Sequence, residues 1–455
     1  MFIFPCIYIL SFLVALFKVL SKQTDKILLF FVFGLPIYIT SLSSAYVIGL
    51  GPAIPFLQSF KELIVLLVIG ILLFNRKKKL VLHTIDYLAL SFITLTLIYI
   101  VLPLGDFGFV EKLLAFKSLS FFPFVYFAGR LMDATTVNLN RYFHYICLIA
   151  ILSTIVLLGE VFYNQHLQIY TGYAAFNEAY FGQEPSGSYG LSWTFETANG
   201  IKRFASFFGG PLELGTNTLF TISVITALIT QDKNKIKLNW FIIIASIMTV
   251  LSIFFAFSRA SFASYFIILY TYFVITKRKE ALRIFHIGAI TIILLIMFWL
   301  SGDIYDFIIS TIDFSDPSSA YHVFQWLDGL EAIGNKPLGL GLGMAGRVST
   351  ETGSNIGGEN QLLIIGVQTG IIAVIIYLLI YGFTITTCYK TFQRSTGKQR
   401  KMALAILLVK VGLIIPLLTA NVESYIYISY ISWFCTGLLI SMAQAEKEDK
   451  RIITA

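Results

Sequence analysis

Three charged residues that could do chemistry each lie beside a long apolar run. In "GGENQLLIIGVQTG", residues 357–370, Glu359 and two amide side chains stand where a polar segment gives way to an apolar one. Arg259 interrupts an apolar hairpin in "AFSRASF", and Arg203 precedes another apolar run in "GIKRFASFFGGPLELG". For the glutamate alone there are two interpretations: a carboxylate that takes part in a reaction, or an acid that the dipole of the following helix favours near its N-terminus.

The two arginines have the chemistry to bind a diphosphate. A guanidinium group presents a planar fork of N–H donors that matches phosphate oxygens. The residues around Arg259 are small, namely Ser258, Ala260 and Ser261, so other groups can approach it closely. The alternative for both arginines is contact with lipid headgroups, which long cationic side chains reach readily. The pair predicts a binding site for a lipid-linked pyrophosphate.

A polar stretch between the second arginine and the glutamate predicts a helix. Asp316 suits the N-cap, Pro317 suits the first helical position, and Asn335 and Pro337 suit the end. His322 lies on this helix, where it either faces the site or has a surface or structural role. The apolar stripe of the helix would consist of Val323, Leu327 and Leu330.

Glycines follow this helix in a G-x-G-x-x-G pattern, at Gly341, Gly343 and Gly346. The pattern indicates a dinucleotide site only between a strand and a helix of a βαβ unit, and the sequence offers no such context. A tight turn against the membrane surface is the better interpretation, with backbone N–H groups that could meet an anion. Arg347, directly after the last glycine, is a candidate third cation.

The elements that position these residues are predicted to be membrane helices. Of the 455 residues, 57% are hydrophobic and 13% are charged, with a mean hydropathy of +0.80, whereas about 25% of residues in soluble domains are charged. Long apolar blocks suit helices that cross a hydrocarbon core of roughly 30 Å, and no alternation typical of a barrel is visible. Thirteen blocks are predicted, near residues 2–20, 27–44, 60–74, 83–103, 112–130, 142–162, 211–230, 238–257, 261–276, 284–301, 359–388, 402–420 and 424–443.

Basic residues predict the orientation of these helices. By the positive-inside rule, stretches rich in Lys and Arg face the cytoplasm, which puts the N-terminus outside and the C-terminus inside. The block at 2–20 has no basic stretch before it, so we expect an uncleaved anchor rather than a signal peptide. Of the 33 Lys and Arg, 23 lie in seven alternate stretches, at 22–26, 75–79, 130–141, 233–237, 277–283, 390–401 and 447–451.

The same orientation predicts two large outward loops, at residues 163–210 and 302–358. The second loop carries two basic residues against seven acids. Loops of this length usually have a function, so we expect the chemistry and some short helices there. The sequence shows no internal repeat or linker, which favours a single integral membrane domain over residues 1–455. The predicted fold is an all-α polytopic bundle of about 12–13 transmembrane helices.

Neither a cofactor nor a metal is predicted. The sequence has no H-E-x-x-H, paired-cysteine or clustered Asp/His pattern. The net charge of +8 derives largely from the short cytoplasmic stretches, so nucleic acid is not expected as a partner. Lys410 lies about 13 Å along a helix from the inner face and would extend its side chain towards that face. The cysteines suit apolar packing, at Cys6, Cys147, Cys388 and Cys435.

The order of these motifs resembles the O-antigen ligase and polymerase superfamily. The shared features are an outward loop that ends in an arginine and then a proline, a hairpin with Ser-Arg-(small), a loop with an amphipathic helix and Asn-x-Pro-x-Gly-x-Gly, and a polar pair that opens a span. The resemblance is best over about residues 195–385. It implies a membrane glycosyltransferase of the bacterial envelope that uses lipid-diphosphate sugar donors on the periplasmic side, without metal or nucleotide.

The resemblance also implies roles for individual residues. Arg203 and Arg259 match the arginines that hold the donor pyrophosphate. Ligases carry His-(Asn or Ser)-x-x-Leu with a glycine eleven residues after the histidine, and here Glu359 occupies the histidine position while Gly370 matches the glycine. Glutamate, with an unperturbed pKa near 4.3 against about 6.5 for histidine, is the weaker base unless burial raises its pKa. Glu359 is predicted to be the catalytic base, and the accessory candidates are His322, Arg347 and Asn360.

Three functions follow from the resemblance and the residues. The first is a polymerase that moves a glycan from undecaprenyl diphosphate to a lipid-linked repeat unit on the outer face of the bacterial inner membrane. The second is a ligase that moves the glycan to lipid A core or a protein, and the third is a polysaccharide-lipid flippase or transporter. The expected partners are the undecaprenyl diphosphate-linked oligosaccharide and the bilayer, with a chain-length regulator and a flippase as further candidates.

Overall fold

The structure is a computed structural model, which describes residues 2–76, 80–197, 200–298, 317–346, 348–349 and 356–454. Within these residues the secondary structure is helical apart from two isolated β-bridges. The helices are α1 (Ile3–Leu20), α2 (Ile27–Phe33), α3 (Tyr38–Val47), α4 (Ile54–Phe74), α5 (Thr84–Val101), α6 (Phe109–Ser120), α7 (Phe122–Leu131), α8 (Leu139–Tyr163), α9 (Leu167–Tyr170), α10 (Tyr173–Phe181), α11 (Pro211–Ile229), α12 (Trp240–Ala256), α13 (Arg259–Ile275), α14 (Lys279–Phe298), α15 (Pro317–Asn335), α16 (Gln361–Arg394), α17 (Gly397–Gly412), α18 (Ile414–Thr419) and α19 (Ile426–Thr454).

The described part of the chain forms a polytopic membrane bundle, as predicted. Nine of its helical segments are long and apolar enough to cross a membrane, and α12 and α13 are shorter apolar helices. Helix α11 is the most enclosed of the site-bearing helices, since every residue from Leu214 to Leu228 is buried. Helices α8, α12, α13, α17 and α19 pack around it, so the segment that contains Arg203 leads directly into the centre of the bundle.

The block predicted at residues 112–130 is two helices rather than one. Helix α6 ends at Ser120, and α7 begins at Phe122 with Pro123 in its first turn. Proline lacks an N–H group and is accommodated in the first turn of a helix but not in its interior, which explains the break. Helix α6 has 12 residues, so it is about 18 Å long and too short to cross the membrane alone.

Helix α16 is interrupted where the segment at residues 337–341 packs against it. Gly370 has φ 79° and ψ 175°, so the helix breaks there. Backbone hydrogen bonds with residues 337–341 replace those that the break removes, and they run from Ile371 N–H to Pro337 O (2.9 Å), from Leu340 N–H to Val367 O (2.7 Å) and from Gly341 N–H to Gln368 O (3.1 Å). The N–H of Gly343 also donates to Gln368 Oε1, at 2.9 Å. The N–H groups of Gly341 and Gly343 therefore bind α16 and do not face an anion.

A Gly370→Ala variant should be destabilised by about 1–3 kcal/mol, because alanine is strained at positive φ. A Cβ atom there would lie 2.5 Å from Pro337 O, which adds a steric clash with backbone. Thermal unfolding of the detergent-solubilised protein measures the effect as a lower Tm. Gly382→Ala is the matched control, since it lies in the same helix and a Cβ there meets nothing within 4 Å. Equal Tm values for the two variants would contradict the assigned role of Gly370.

Candidate functional site

Glu359 directly precedes the N-cap of α16. Asn360 is the N-cap, and its side-chain oxygen accepts hydrogen bonds from the N–H groups of Leu362 (2.9 Å) and Leu363 (3.2 Å). This bonding is the usual way in which asparagine satisfies the first N–H groups of a helix. Capping therefore uses Asn360 and does not require Glu359. A direct substrate contact by Asn360 stays a prediction.

Helix α15 packs along the first turns of α16 and encloses the turn before Glu359. A Cβ at Gly358 would lie 2.1 Å from Gln325 Oε1, and one at Gly329 would lie 2.8 Å from Gly357 Cα. His322, Gln325 and Gly329 lie on one face of α15 by helical spacing. This face is thus directed at the turn. Two residues of the predicted apolar stripe are exposed, Leu327 at 57% and Leu330 at 58%, whereas Val323 is half-buried. The predicted N-cap, Asp316, lies outside the described residues.

The segment that carries Arg203 is fixed by hydrogen bonds from buried side chains. Glu160, at the end of α8, accepts hydrogen bonds from the N–H groups of Leu167 and Ser206, both at 2.7 Å. Gln168 donates to Ser206 O at 2.8 Å and to Phe208 O at 3.0 Å. The N–H of Arg203 itself donates to Phe195 O at 2.8 Å. The backbone on both sides of Arg203 therefore has a defined position.

Arg259 is the first residue of α13. Ser258 caps the helix by accepting a hydrogen bond from the N–H of Ser261 at 3.3 Å. Helix α11 packs closely against these small residues, because a Cβ at Gly215 of α11 would lie 2.8 Å from Ser261 Oγ. The N–H of Phe204 donates to Phe255 O at 3.1 Å, which joins the segment after Arg203 to the end of α12. Arg203 and Arg259 thus lie on neighbouring segments.

Four of the predicted residues interact with one another electrostatically. Burial lowers the pKa of His322, and the charges of Arg259 and Arg203 lower it further. Burial raises the pKa of the Glu359 carboxyl above its ordinary value, while Arg203 lowers it in part. Arg203 therefore acts on both Glu359 and His322, although these residues are far apart in the sequence. The direction of the shift at Glu359 is the one that a carboxylate needs in order to become a stronger base.

The rate of glycan transfer, if Glu359 is the base, should rise with pH through an acid limb whose midpoint lies above the ordinary glutamate pKa. The carboxylate must be ionised to accept a proton, so the rate is lost as the pH falls through the raised pKa of Glu359. The pH profile of kcat/KM in proteoliposomes measures this midpoint, because it reports the groups of the unliganded enzyme. A midpoint at or below the ordinary glutamate value would contradict the predicted role.

Glu213 and Tyr425 are neighbours of the site that sequence reasoning missed. Glu213, in the first turn of α11, accepts a hydrogen bond from the N–H of Gly209 at 3.0 Å. Burial, followed by the charges of Glu359 and Glu213, raises the pKa of the Tyr425 hydroxyl well above its ordinary value. Tyr425 therefore lies near both carboxylates. The one signal in the sequence was the acid in "GGPLELG", ten residues after Arg203.

A second group of buried polar residues contacts the start of α16. The carboxylate of Glu423 accepts hydrogen bonds from the Tyr377 hydroxyl (2.7 Å) and from Trp433 Nε1 (3.0 Å), and the N–H of Glu423 donates to Gln361 Oε1 at 3.1 Å. Lys410 is 1% exposed, with its ammonium group 3.3 Å from the centre of the Trp433 ring. The expectation that Lys410 extends to the inner face is therefore wrong, because its side chain is buried inside the bundle against Trp433.

Two further predictions concern a third cation and a metal site. Arg347, the candidate third cation, lies outside the described residues. In the part of the chain that the structure describes, no group of three or more His, Cys, Asp or Glu side chains could hold a metal ion. The candidate site therefore consists of Glu359, Arg203, Arg259 and His322, with Asn360, Glu213 and Tyr425 around it.

The sequence of residues 244–378 matches a protein family described as O-Antigen ligase. No curated protein matches the chain. The matched range contains Arg259, His322 and Glu359, and it ends after the helix break at Gly370. Arg203 lies before it, on the segment that the structure brings next to the matched region. The match supports the resemblance seen in the sequence motifs: residues 244–378 of this multi-pass membrane protein are similar to the O-antigen ligase family.

Proposed function

We propose that the protein is a polysaccharide polymerase of the bacterial cytoplasmic membrane. It would transfer a growing glycan from one undecaprenyl diphosphate to the non-reducing end of a second lipid-linked repeat unit, on the outer face of the membrane. The observation that supports this proposal is the carboxylate of Glu359, which stands at the position of the ligase histidine and interacts electrostatically with Arg203.

The proposed reaction is a single displacement at the anomeric carbon of the donor sugar. A hydroxyl of the acceptor gives its proton to the Glu359 carboxylate, and its oxygen forms a bond to that carbon. The bond between the anomeric carbon and the phosphate oxygen breaks, and the diphosphate leaves with the electron pair. Arg203 and Arg259 stabilise the charge that develops on the diphosphate. The proton on Glu359 then passes to solvent, which restores the base.

The second candidate is a ligase, and the description of the matching family favours it. A ligase would use the same donor site and the same base but would transfer the glycan to a different acceptor, such as lipid A core or a protein. The two functions therefore differ in the acceptor and not in the chemistry at Glu359.

Reconstitution of the full-length protein in proteoliposomes with purified lipid-linked repeat units tests the proposal. We expect a ladder of glycans that lengthens by whole repeat units. Product that appears only after a foreign acceptor is added would instead establish the ligase. Movement of the lipid-linked glycan across the bilayer without formation of a new bond would overturn both, in favour of a flippase.

A further inference from the structure

Glu423 lies in the short turn between α18 and α19, close to the start of α16. Its carboxylate accepts hydrogen bonds from the Tyr377 hydroxyl at 2.7 Å and from Ser429 Oγ at 2.5 Å. Trp433 Nε1 donates to both carboxylate oxygens, each at 3.0 Å. Tyr377 belongs to α16, whereas Ser429 and Trp433 belong to α19. One carboxylate therefore joins two helices of the bundle.

The backbone of Glu423 makes a second contact with α16, on the other side of the helix break. The N–H of Glu423 donates to Gln361 Oε1 at 3.1 Å. Gln361 is the first residue of α16 and precedes the break at Gly370, while Tyr377 follows the break. The break interrupts the ladder of backbone hydrogen bonds that would otherwise fix the angle between the two parts of the helix. Because Glu423 binds both parts, its position fixes that angle.

The donors to Glu423 are themselves held in place by packing. Tyr377 and Trp433 are both buried. The ring of Phe122, on α7, has its centre 5.5 Å from that of Tyr377 and 4.8 Å from that of Trp433. The ammonium group of Lys410, 3.3 Å from the centre of the Trp433 ring, interacts electrostatically with Glu423. Buried polar networks whose members are satisfied make the surrounding structure rigid, so the carboxylate has a defined position.

Two neighbours of the candidate base depend on this position. Gln361, which binds the N–H of Glu423, follows Glu359 by two residues in the chain. Tyr425 follows Glu423 by two residues and interacts electrostatically with Glu359. A group that does chemistry needs fixed supporting residues, since a displacement of about 1 Å can slow a reaction about 10²-fold. The start of α16 and the turn with Tyr425 are supporting residues of this kind.

We propose that Glu423 is a positioning residue for glycan transfer, which holds the start of α16 and the turn with Tyr425 so that Glu359 faces the acceptor hydroxyl. Glu423 acts through Gln361 and does not touch the substrate. This inference rests on the proposed function, because it takes Glu359 as the base of that reaction. It does not depend on the acceptor, so it holds for a polymerase and for a ligase.

A Tyr377→Phe variant tests the positioning without removal of a buried charge. Substitution of Glu423 itself would remove the electrostatic interaction of the buried Lys410 and can unfold the bundle. Phenylalanine keeps the packing against Phe122 and removes one hydrogen bond to the carboxylate. We expect kcat for glycan transfer in proteoliposomes to be about tenfold lower, with KM unchanged, because the displaced group is the base and not the donor site.

Tyr381→Phe is the matched control. Tyr381 lies one turn further along α16, and its hydroxyl donates to Lys410 O at 2.6 Å rather than to Glu423. Both variants lose one buried hydroxyl group, so both should lower the Tm by similar amounts. Tyr381→Phe should nevertheless keep the kcat of the wild type.

Hydrogen–deuterium exchange of the full-length protein in nanodiscs, measured by mass spectrometry, reports the positioning without any substrate. We expect faster exchange at residues 361–364, the first turn of α16, in Tyr377→Phe and not in Tyr381→Phe. These residues lie on the far side of the break at Gly370 from both tyrosines. A purely local loss of stability around either tyrosine would leave the exchange at 361–364 unchanged.

Three results would overturn the inference. They are equal kcat values for Tyr377→Phe and Tyr381→Phe, a raised KM with unchanged kcat in Tyr377→Phe, and exchange at residues 361–364 that does not differ between the two variants.

A failure of the proposed function is seen separately. If the wild type forms product only with a foreign acceptor, the polymerase assignment falls, and the two tyrosine variants are compared on that product with the same expected result. Full activity of Glu359→Gln would remove the base and the inference with it. A large loss in Glu359→Gln together with equal kcat in the two tyrosine variants would overturn the inference alone.

Discussion

A Glu359→Gln variant should transfer glycan about 10²–10⁴-fold more slowly than the wild type, the range that general acid–base catalysis contributes. Glutamine has nearly the shape of glutamate but cannot take a proton from the acceptor hydroxyl. Binding of the donor should change little, because the arginines that are proposed to hold the diphosphate remain. The expected loss is therefore in kcat, measured as initial rates of ladder formation in proteoliposomes.

Two further variants show whether Glu359 is a catalytic base or an acid that only interacts favourably with the helix dipole. Glu184→Gln removes an exposed acid of the first predicted outer loop and should keep full activity. Glu359→His introduces the residue that ligases carry at this position, so it should restore part of the activity with an acid limb moved towards the ordinary histidine pKa of about 6.5. Full activity in Glu359→Gln would show that another group removes the proton.

The sequence predicted the membrane bundle and the helix α15 because both depend on local patterns. Long apolar blocks determine where helices cross the membrane, and Pro317 and Asn335 are residues that begin and end helices. The same patterns did not reveal the break at Gly370. That glycine lies inside an apolar run, and its conformation is imposed by contact with Pro337 and Leu338, which no local rule contains.

Some residues of the candidate site were predicted from the sequence. The residues that were missed join the site through contacts between distant segments. Glu359, Arg203 and Arg259 were identifiable because charges beside apolar runs are conspicuous. Tyr425, directly before α19, was hidden among the apolar and aromatic residues of the last block, and its proximity to Glu359 results from contact between distant segments of the bundle.

Replacing Arg203 or Arg259 with glutamine should each slow transfer by about 10²–10³-fold, the loss that follows removal of one donor to a developing negative charge. The double variant should lose less than the product of the two single losses, because both guanidinium groups act on the same diphosphate. Lysine at either position keeps the charge but not the planar fork, so it should recover activity only partly. Rates in the ladder assay at saturating substrate give these values.

Lys202→Gln is the matched control for Arg203, since it removes the adjacent positive charge. The ammonium group of Lys202 donates to Asn164 O at 2.5 Å and lies 4.8 Å from the centre of the Tyr189 ring, away from the diphosphate proposed at Arg203. We expect Lys202→Gln to keep most of the activity. Equal losses in Lys202→Gln and Arg203→Gln would indicate that charge removal merely disturbs the loop.

Substitution of Arg203 and substitution of Arg259 should also change the pH profile differently. This difference distinguishes their roles, which the loss of rate alone does not. Arg203 lowers the pKa of Glu359, so Arg203→Gln should move the acid limb to higher pH. The charge of Arg259 lowers the pKa of His322, so Arg259→Gln should leave the acid limb of Glu359 nearly unchanged while the rate falls. A purely structural effect of either substitution would lower the active fraction and leave the midpoint where it was. A shift in one variant and not in the other therefore requires that Arg203 lies beside an ionising Glu359 in the working enzyme.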